Sequence, residues 1–248
     1  MRETLYGRNA VYESLRAARR KFFQLTLAET VRTADVIDDI LAMAERAHLP
    51  VKRAPRRHLD SLGEINHQGV ALEASDYPYA DLSDMATEAQ HRGEPLFLLL
   101  LDLLQDPQNL GSLLRTAEAV GVHGVVVQER RAAGVTPAVV HASAGAVEHL
   151  LVAQVTNLAE TIASLKAQGV WVMGLESSRG AKPYNQADLT GPLALVVGSE
   201  GEGLRRLVQE RCDFLAQLPM VGKVTSLNAA VAGSVVLYEA LRQRGTAQ

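Results

Sequence analysis

Apolar residues along this chain follow two rhythms. Short continuous runs alternate with segments in which apolar positions return every three or four residues. The runs Leu96–Leu101, Val125–Val127, Val170–Leu175, Leu193–Val197 and Phe214–Leu218 predict strands buried on both faces. Leu110, Leu113, Leu114, Ala117 and Val120 fall at helical spacing and predict a helix that stops at Gly121. Leu158–Gln168 predicts a helix stopped by Gly169, and Leu227, Ala230, Val231, Ser234, Tyr238 and Leu241 predict the last helix. Such alternation implies an α/β domain built on a parallel sheet covered on both faces. Earlier in the chain the elements are shorter. Phe22–Leu27, Leu49–Val51 and Gly69–Leu72 are strand-like, and Val36, Ile37, Ile40, Leu41 and Ala44 repeat as a helix. They predict a small α/β domain over residues 1–75. Asp76–Gly93 holds Pro78, Gly93 and many polar residues, so 76–94 reads as a linker with one helical turn around Leu82–Ala89. The larger domain then spans 95–248.

Composition narrows the setting. The longest apolar run, Leu96–Leu101, ends at Asp102 and is far short of the roughly 20 residues that span a bilayer. Charges appear within the first three residues, which does not suit a signal peptide. The only cysteine, Cys212, excludes an internal disulfide and a cysteine metal cluster, so the expectation is a cytoplasmic protein with no metal and no membrane partner. Net charge is −3, which by itself announces no nucleic acid. Residues 1–75 carry 12 Lys+Arg against 10 Asp+Glu, and the remainder 13 against 18. Two basic clusters lie in that first segment: Arg16, Arg19, Arg20 and Lys21, then Lys52, Arg53, Arg56 and Arg57. Each is either a solvated face or a set of phosphate contacts.

Three polar loops follow predicted strands, where open α/β sheets bind ligands. In Asp102–Arg115, Asn109 is placed to cap the helix, and Arg115 lies six residues on, roughly 9 Å along the axis. The bland reading is a capped helix with an exposed arginine. Gly198-Ser199-Glu200-Gly201-Glu202-Gly203 lacks the Lys-Ser/Thr of a P-loop and the glycine order of a dinucleotide fingerprint. Its acidic residues suit a neutral nucleoside or a cationic sulfonium better than a phosphate, and a plain glycine-rich turn is the alternative. In Leu218–Asn228, Ser226 is placed to cap the last helix with Asn228 in its first turn, and the backbone around Leu218 and Met220 offers main-chain bonds to an adenine. It also reads as a simple strand-to-helix connection.

Taken together, Asn109…Arg115-Thr116-Ala117, the Gly198–Gly203 loop and Pro219-Met220-Val221-Gly222-Lys223-Val224-Thr225-Ser226-Leu227-Asn228 resemble the three signature motifs of the SpoU/TrmH-type RNA 2′-O-methyltransferases of the SPOUT class. Tyr6-Gly7-Arg8-Asn9-Ala10-Val11 and His67-Gln68-Gly69-Val70 resemble the L30e/L7Ae-like substrate-binding domain attached to many of them. The resemblance covers nearly the whole chain and lies nearest the bacterial enzymes that methylate a guanosine in the peptidyl-transferase region of 23S rRNA. The chain departs from the pattern at His141, where relatives often carry a basic residue, and at Ala229-Ala230 after Asn228.

The resemblance implies a trefoil knot in the C-terminal domain, a homodimer with a composite active site, and S-adenosyl-L-methionine as cofactor. It implies that Leu175, Gly198, Gly201, Leu218, Met220, Ser226 and Leu227 hold the cofactor, and that Asn109, Arg115, Glu200, Ser226 and Asn228 form the catalytic set. RNA contacts are expected from Arg8, Arg16, Arg19, Arg20, Lys21, Arg53, Arg56 and Arg57. Small residues Ala229, Ala230, Ala232 and Gly233 on the last helix would allow close packing of subunits. Arg115 is the implied activator of the 2′-hydroxyl. Free arginine, with a pKa of roughly 12.5–13.8, is a poor base, so a charge clamp oriented by Asn109 and Glu200 is the favoured role. The rival readings are a tRNA ribose methyltransferase of the same family, a non-catalytic RNA-binding ribosome-assembly protein, and a nucleotide-binding oxidoreductase, which the glycine order disfavours.

Overall fold

A computed structural model gives the structure and describes residues 2–32, 36–178 and 180–246. In chain order the elements are β1 (Arg2–Tyr6), α1 (Arg8–Ala17), β2 (Phe22–Ala28), α2 (Val36–Arg46), β3 (Val51–Ala54), α3 (Arg56–Asp60), β4 (Val70–Ser75), α4 (Leu82–Arg92), β5 (Phe97–Asp102), α5 (Pro107–Ala119) and β6 (Gly124–Gln128). After them come α6 (Pro137–Ala142), β7 (Val152–Val155), α7 (Leu158–Ala167), β8 (Trp171–Leu175), β9 (Lys182–Pro183), β10 (Leu193–Gly198), α8 (Arg206–Arg211), β11 (Phe214–Gln217) and α9 (Ala229–Thr246). The chain forms two compact units. One takes the chain up to Pro78 together with Val135–His149, and the other takes Tyr79–Gly134 and everything from Leu150.

The first unit holds a four-stranded sheet in the order β1-β4-β2-β3, antiparallel except for the β2–β3 pair. The expected strand at Leu49–Val51 begins only at Val51, because pairing with β2 starts at Leu25 opposite Val51. α1 is too polar for a periodicity search, yet Ala10, Val11, Ser14 and Leu15 bury one of its faces. A charged pair is sealed inside this unit. The Arg20 guanidinium lies 2.7 Å from Glu148 and 2.7 Å from Glu3, with both the Arg20 and Glu148 side chains fully buried. Arg20 also donates to the Ser75 carbonyl.

The second unit is the expected parallel α/β domain. Its seven strands run β7-β6-β5-β10-β8-β11-β9, and every pairing is parallel. All residues of β5 and β10 are buried, as their continuous apolar runs require. The stretch expected to be a linker instead contributes a three-turn helix to this unit. Asp84 reaches back to the Asp81 N–H at the start of α4, and Gly93 at φ 66° ends it. Met85 is buried and lies where a side chain on Gly124 would have to sit, so that glycine makes room for α4.

α9 packs on α5 through its small residues. A side chain at Gly233 would strike Leu113 and Val197, and Ala230 is buried. Gly233 and Ala230 therefore serve packing within the chain, which corrects the expectation that they face a second subunit. The outward stripe of α9 is larger and apolar: Val231, Val235, Tyr238 and Leu241 are all exposed.

Candidate active site

β5, β8, β10 and β11 end at one edge of the second sheet, and the loops leaving them carry the candidate residues. α5 begins with Asp106-Pro107. Proline lacks an N–H and has its φ preset for the first helical position, so the cap falls to Asp106, whose carboxylate accepts from the Gln108 and Asn109 N–H groups at 3.3 and 3.2 Å. This corrects the expectation that Asn109 is the cap. Its side chain is left to turn elsewhere: Nδ2 donates to Asp106 Oδ2 at 2.7 Å and to Glu200 Oε1. On α9 the cap is Asn228 and not Ser226, because Asn228 Oδ1 accepts from the Ala230 and Val231 N–H groups at 2.9 and 3.2 Å. Asn228 Nδ2 then donates to Asn109 Oδ1 at 2.9 Å and Glu200 Oε1 at 3.4 Å. One oxygen of Glu200 thus receives both amides, and the fold joins Asn109, Glu200 and Asn228 into one polar cluster.

The loop that presents Glu200 is pinned on both shoulders. Ser199 and Gly203 exchange backbone hydrogen bonds of 3.2 and 3.0 Å. Gly203 has φ 66°, and the Glu176 carboxylate occupies the space a side chain there would need. Glu176 Oε2 accepts the Leu204 N–H at 2.8 Å. Beyond it, the buried Asp102 accepts the Arg205 N–H at 2.9 Å and Nε at 2.8 Å, and Gln128 Oε1 takes the same guanidinium at 3.1 Å.

Behind the cluster lies a cavity of about 440 Å³. Leu175, Gly198, Gly201, Leu218, Met220, Ser226 and Leu227, the residues expected at a cofactor, all line it, with Glu200 and Asn228. Sequence reasoning missed Glu176, Gln217 and Thr225 on the same wall. Position was the available signal for Glu176, which directly follows the carboxyl end of β8. Among the described residues the lining combines apolar side chains, exposed main chain and two carboxylates, with no lysine or arginine. That donor set fits a nucleoside carrying positive charge and does not fit a phosphate. Cys212 is no nucleophile here, since burial pushes its thiol up to about 12.

Arg115 is exposed on α5. Asn109 and Glu200 bond to each other and to Asn228, so the expectation that they orient Arg115 is not met among the described residues. The basic candidates of the first unit divide. Arg16, Lys21, Arg53, Arg56 and Arg57 are exposed. Arg8 and Arg56, with Arg32, which the sequence did not single out, line a cup of about 420 Å³ whose floor includes Gln68 and Gly69. Arg20 is buried in its ion pair and is no RNA contact in this structure. Arg19 is half-buried and donates to Tyr77 Oη at 3.2 Å and the Pro78 carbonyl at 3.3 Å. His141 stacks on Tyr6 and hydrogen-bonds its carbonyl at 3.2 Å, so its ring is engaged within the first unit.

Comparison with known proteins identifies the family. The family model for the SpoU rRNA methylase family matches residues 96–238, and that for RNA 2′-O ribose methyltransferase substrate binding matches residues 4–80. A Bacillus subtilis protein, YacO, assigned to the TrmH family of tRNA/rRNA methyltransferases, is 46% identical over 238 residues, 96% of this chain and 94% of its own length. The S-adenosylmethionine-bound SpoU methyltransferase AviRb of Streptomyces viridochromogenes has the same fold, with a TM-score of 0.82 at 24% identity over 99% of this chain and 91% of its own. An S-adenosylmethionine-bound rRNA methyltransferase from Sinorhizobium meliloti aligns with a TM-score of 0.79 at 25% identity, covering 97% of this chain and 87% of its own.

Proposed function

Because this chain belongs to the SpoU/TrmH family of S-adenosylmethionine-dependent RNA 2′-O-ribose methyltransferases, we propose that its substrate is a specific guanosine in the peptidyl-transferase region of 23S rRNA. The observation that carries a methyltransferase reading is the Asn109–Glu200–Asn228 cluster at a cavity lined by every residue expected at the cofactor. The substrate-binding match over residues 4–80 supports an RNA substrate, and the match to the SpoU rRNA methylase family with the likeness to an rRNA methyltransferase supports ribosomal RNA. The arginine-lined cup of the first unit offers phosphate contacts there.

S-adenosylmethionine supplies an electrophilic methyl group on a sulfonium. Leu175, Leu218, Met220 and Leu227 would give apolar contact to its nucleoside, and the main chain of the Gly198 and Met220 loops would offer hydrogen bonds. Orientation of the ribose hydroxyl is the protein's main contribution, worth roughly 7–11 kcal/mol. Asn109, Glu200 and Asn228 hold the two loops and the α9 cap in one arrangement, so that Ser226 and Asn228 meet the nucleotide. Arg115 stabilises charge developing on the 2′-oxygen and clamps a phosphate. Because Arg115 stands apart from the cluster, the active site is completed across a homodimer. The exposed Val231, Val235, Tyr238 and Leu241 stripe of α9 is the proposed subunit contact. A knotted C-terminal segment and a cytoplasmic location belong to the same reading. No helix among the described residues is long and apolar enough to cross a membrane.

Mapping 2′-O-methylation in rRNA and tRNA from a deletion strain tests the assignment. Loss of one 23S guanosine methyl, restored by the wild-type gene, is expected. A lost tRNA methyl with intact rRNA would move the substrate to tRNA.

A further inference from the structure

Among the described residues, the charged side chains on the cavity wall are two acids, Glu176 and Glu200. Their situations differ. Glu200 accepts the amides of Asn109 and Asn228 and belongs to the loop-locking cluster. Glu176 accepts one main-chain N–H, that of Leu204, and no basic side chain among the described residues pairs with it. It is half-buried at the end of β8, and Gly203 is cut back to leave room for its carboxylate. A half-buried carboxylate lining a cavity, with no counter-ion among the described residues, favours a positively charged occupant.

Methyl transfer changes the charge of the occupant. The sulfur–methyl bond breaks and its electron pair stays on sulfur, so the sulfonium cation becomes a neutral thioether. The ribose oxygen gains the methyl group and its proton passes to solvent water.

We propose that Glu176 makes the cavity select S-adenosylmethionine over S-adenosylhomocysteine, so that transfer itself removes the attraction that holds the cofactor. This rests on the reading of the cavity as the cofactor site. Glu176 is on this view a specificity-determining residue, distinct from the cluster of Asn109, Glu200 and Asn228.

The test is calorimetric binding of three probes to the full chain: S-adenosylmethionine, S-adenosylhomocysteine and sinefungin, which replaces the sulfonium with a carbon bearing an amine. Wild type is expected to bind the two cations more tightly than the thioether, with the gap narrowing as salt rises. Glu176→Gln keeps an oxygen for the Leu204 N–H and removes only the charge. It should weaken S-adenosylmethionine and sinefungin about three- to tenfold and leave S-adenosylhomocysteine within about twofold. Glu176→Asp should recover part of the preference. Parallel weakening of all three probes by Glu176→Gln, or no change in any, overturns the proposal. A wild-type chain that binds none of the three overturns the reading of the cavity, and the proposal falls with it.

Discussion

Arg115 is exposed and stands outside the hydrogen-bonded cluster, and its proposed role as a charge clamp depends on the guanidinium fork. Lysine keeps the charge and loses the fork, so Arg115→Lys should lower kcat about 10²–10³-fold with an unshifted pH–rate profile. A full-rate lysine enzyme whose profile moves to lower pH would instead support a base at this position. Buried Arg20 makes the opposite kind of contribution. Arg20→Ala strands Glu148 as an unpaired buried charge and should cost about 3–5 kcal/mol, whereas exposed Arg16→Ala should stay within about 0.5 kcal/mol; urea unfolding compares them. His123 links stability to pH. Its Nδ1 accepts the Phe97 N–H at 3.0 Å, so the proton is on Nε2, facing Glu94 at 3.1 Å. Burial, aided by Arg92, holds its pKa below the usual value. The folded state therefore prefers the neutral ring. Its contribution is full above an unfolded pKa of roughly 6.5 and is lost as pH falls through the lower folded value. Melting temperature should drop below that pH in wild type, and the drop should shrink in His123→Gln.

Helix starts explain most differences between expected and observed elements. Asp106-Pro107 and Asn228 take the caps that residue pattern alone assigned to Asn109 and Ser226. The two changes free one asparagine and anchor the other, and that is why both reach Glu200. At α4 the spacing of Leu82, Met85 and Ala89 marks a helical turn in the sequence, and its polar neighbours hide that the helix runs on to Arg92. α9 has two working faces. The inner one is small and fits α5, while the outer one carries Val231, Val235, Tyr238 and Leu241. If the proposed dimer forms through this stripe, Tyr238→Glu should give a monomer by light scattering and abolish methyl transfer, with S-adenosylmethionine affinity less affected. A monomeric wild-type protein with full activity would sink the composite site.

At the scale of the whole molecule, the chain returns at Val135–His149 to complete the unit begun at its N-terminus. The Arg20–Glu148 pair, separated by 128 positions, seals that return. The surface proposed for RNA in the first unit is the cup of Arg8, Arg32 and Arg56 and its exposed basic neighbours. Replacing the three arginines by glutamine should weaken binding of a 23S fragment. The slope of log affinity against log salt should become shallower by roughly 0.7 for each single-stranded phosphate that is no longer neutralised. An unchanged slope would move RNA recognition elsewhere.

Periodicity alone determined the parallel α/β domain, because a strand buried on both faces must be continuously apolar and a helix must repeat every three or four residues. The ordered motifs around Asn109, Gly198 and Asn228 determined the family and brought RNA methyl transfer within reach. Only tertiary structure decided which polar groups meet. Asn109 and Asn228 are 119 positions apart, and their bond depends on where β5, β10 and α9 bring their ends. The same holds for Arg20, which shares the local pattern of an exposed basic run and is in fact a buried ion. Local sequence reports how often a side chain turns inward, whereas its partner there is set by chain segments that periodicity does not relate.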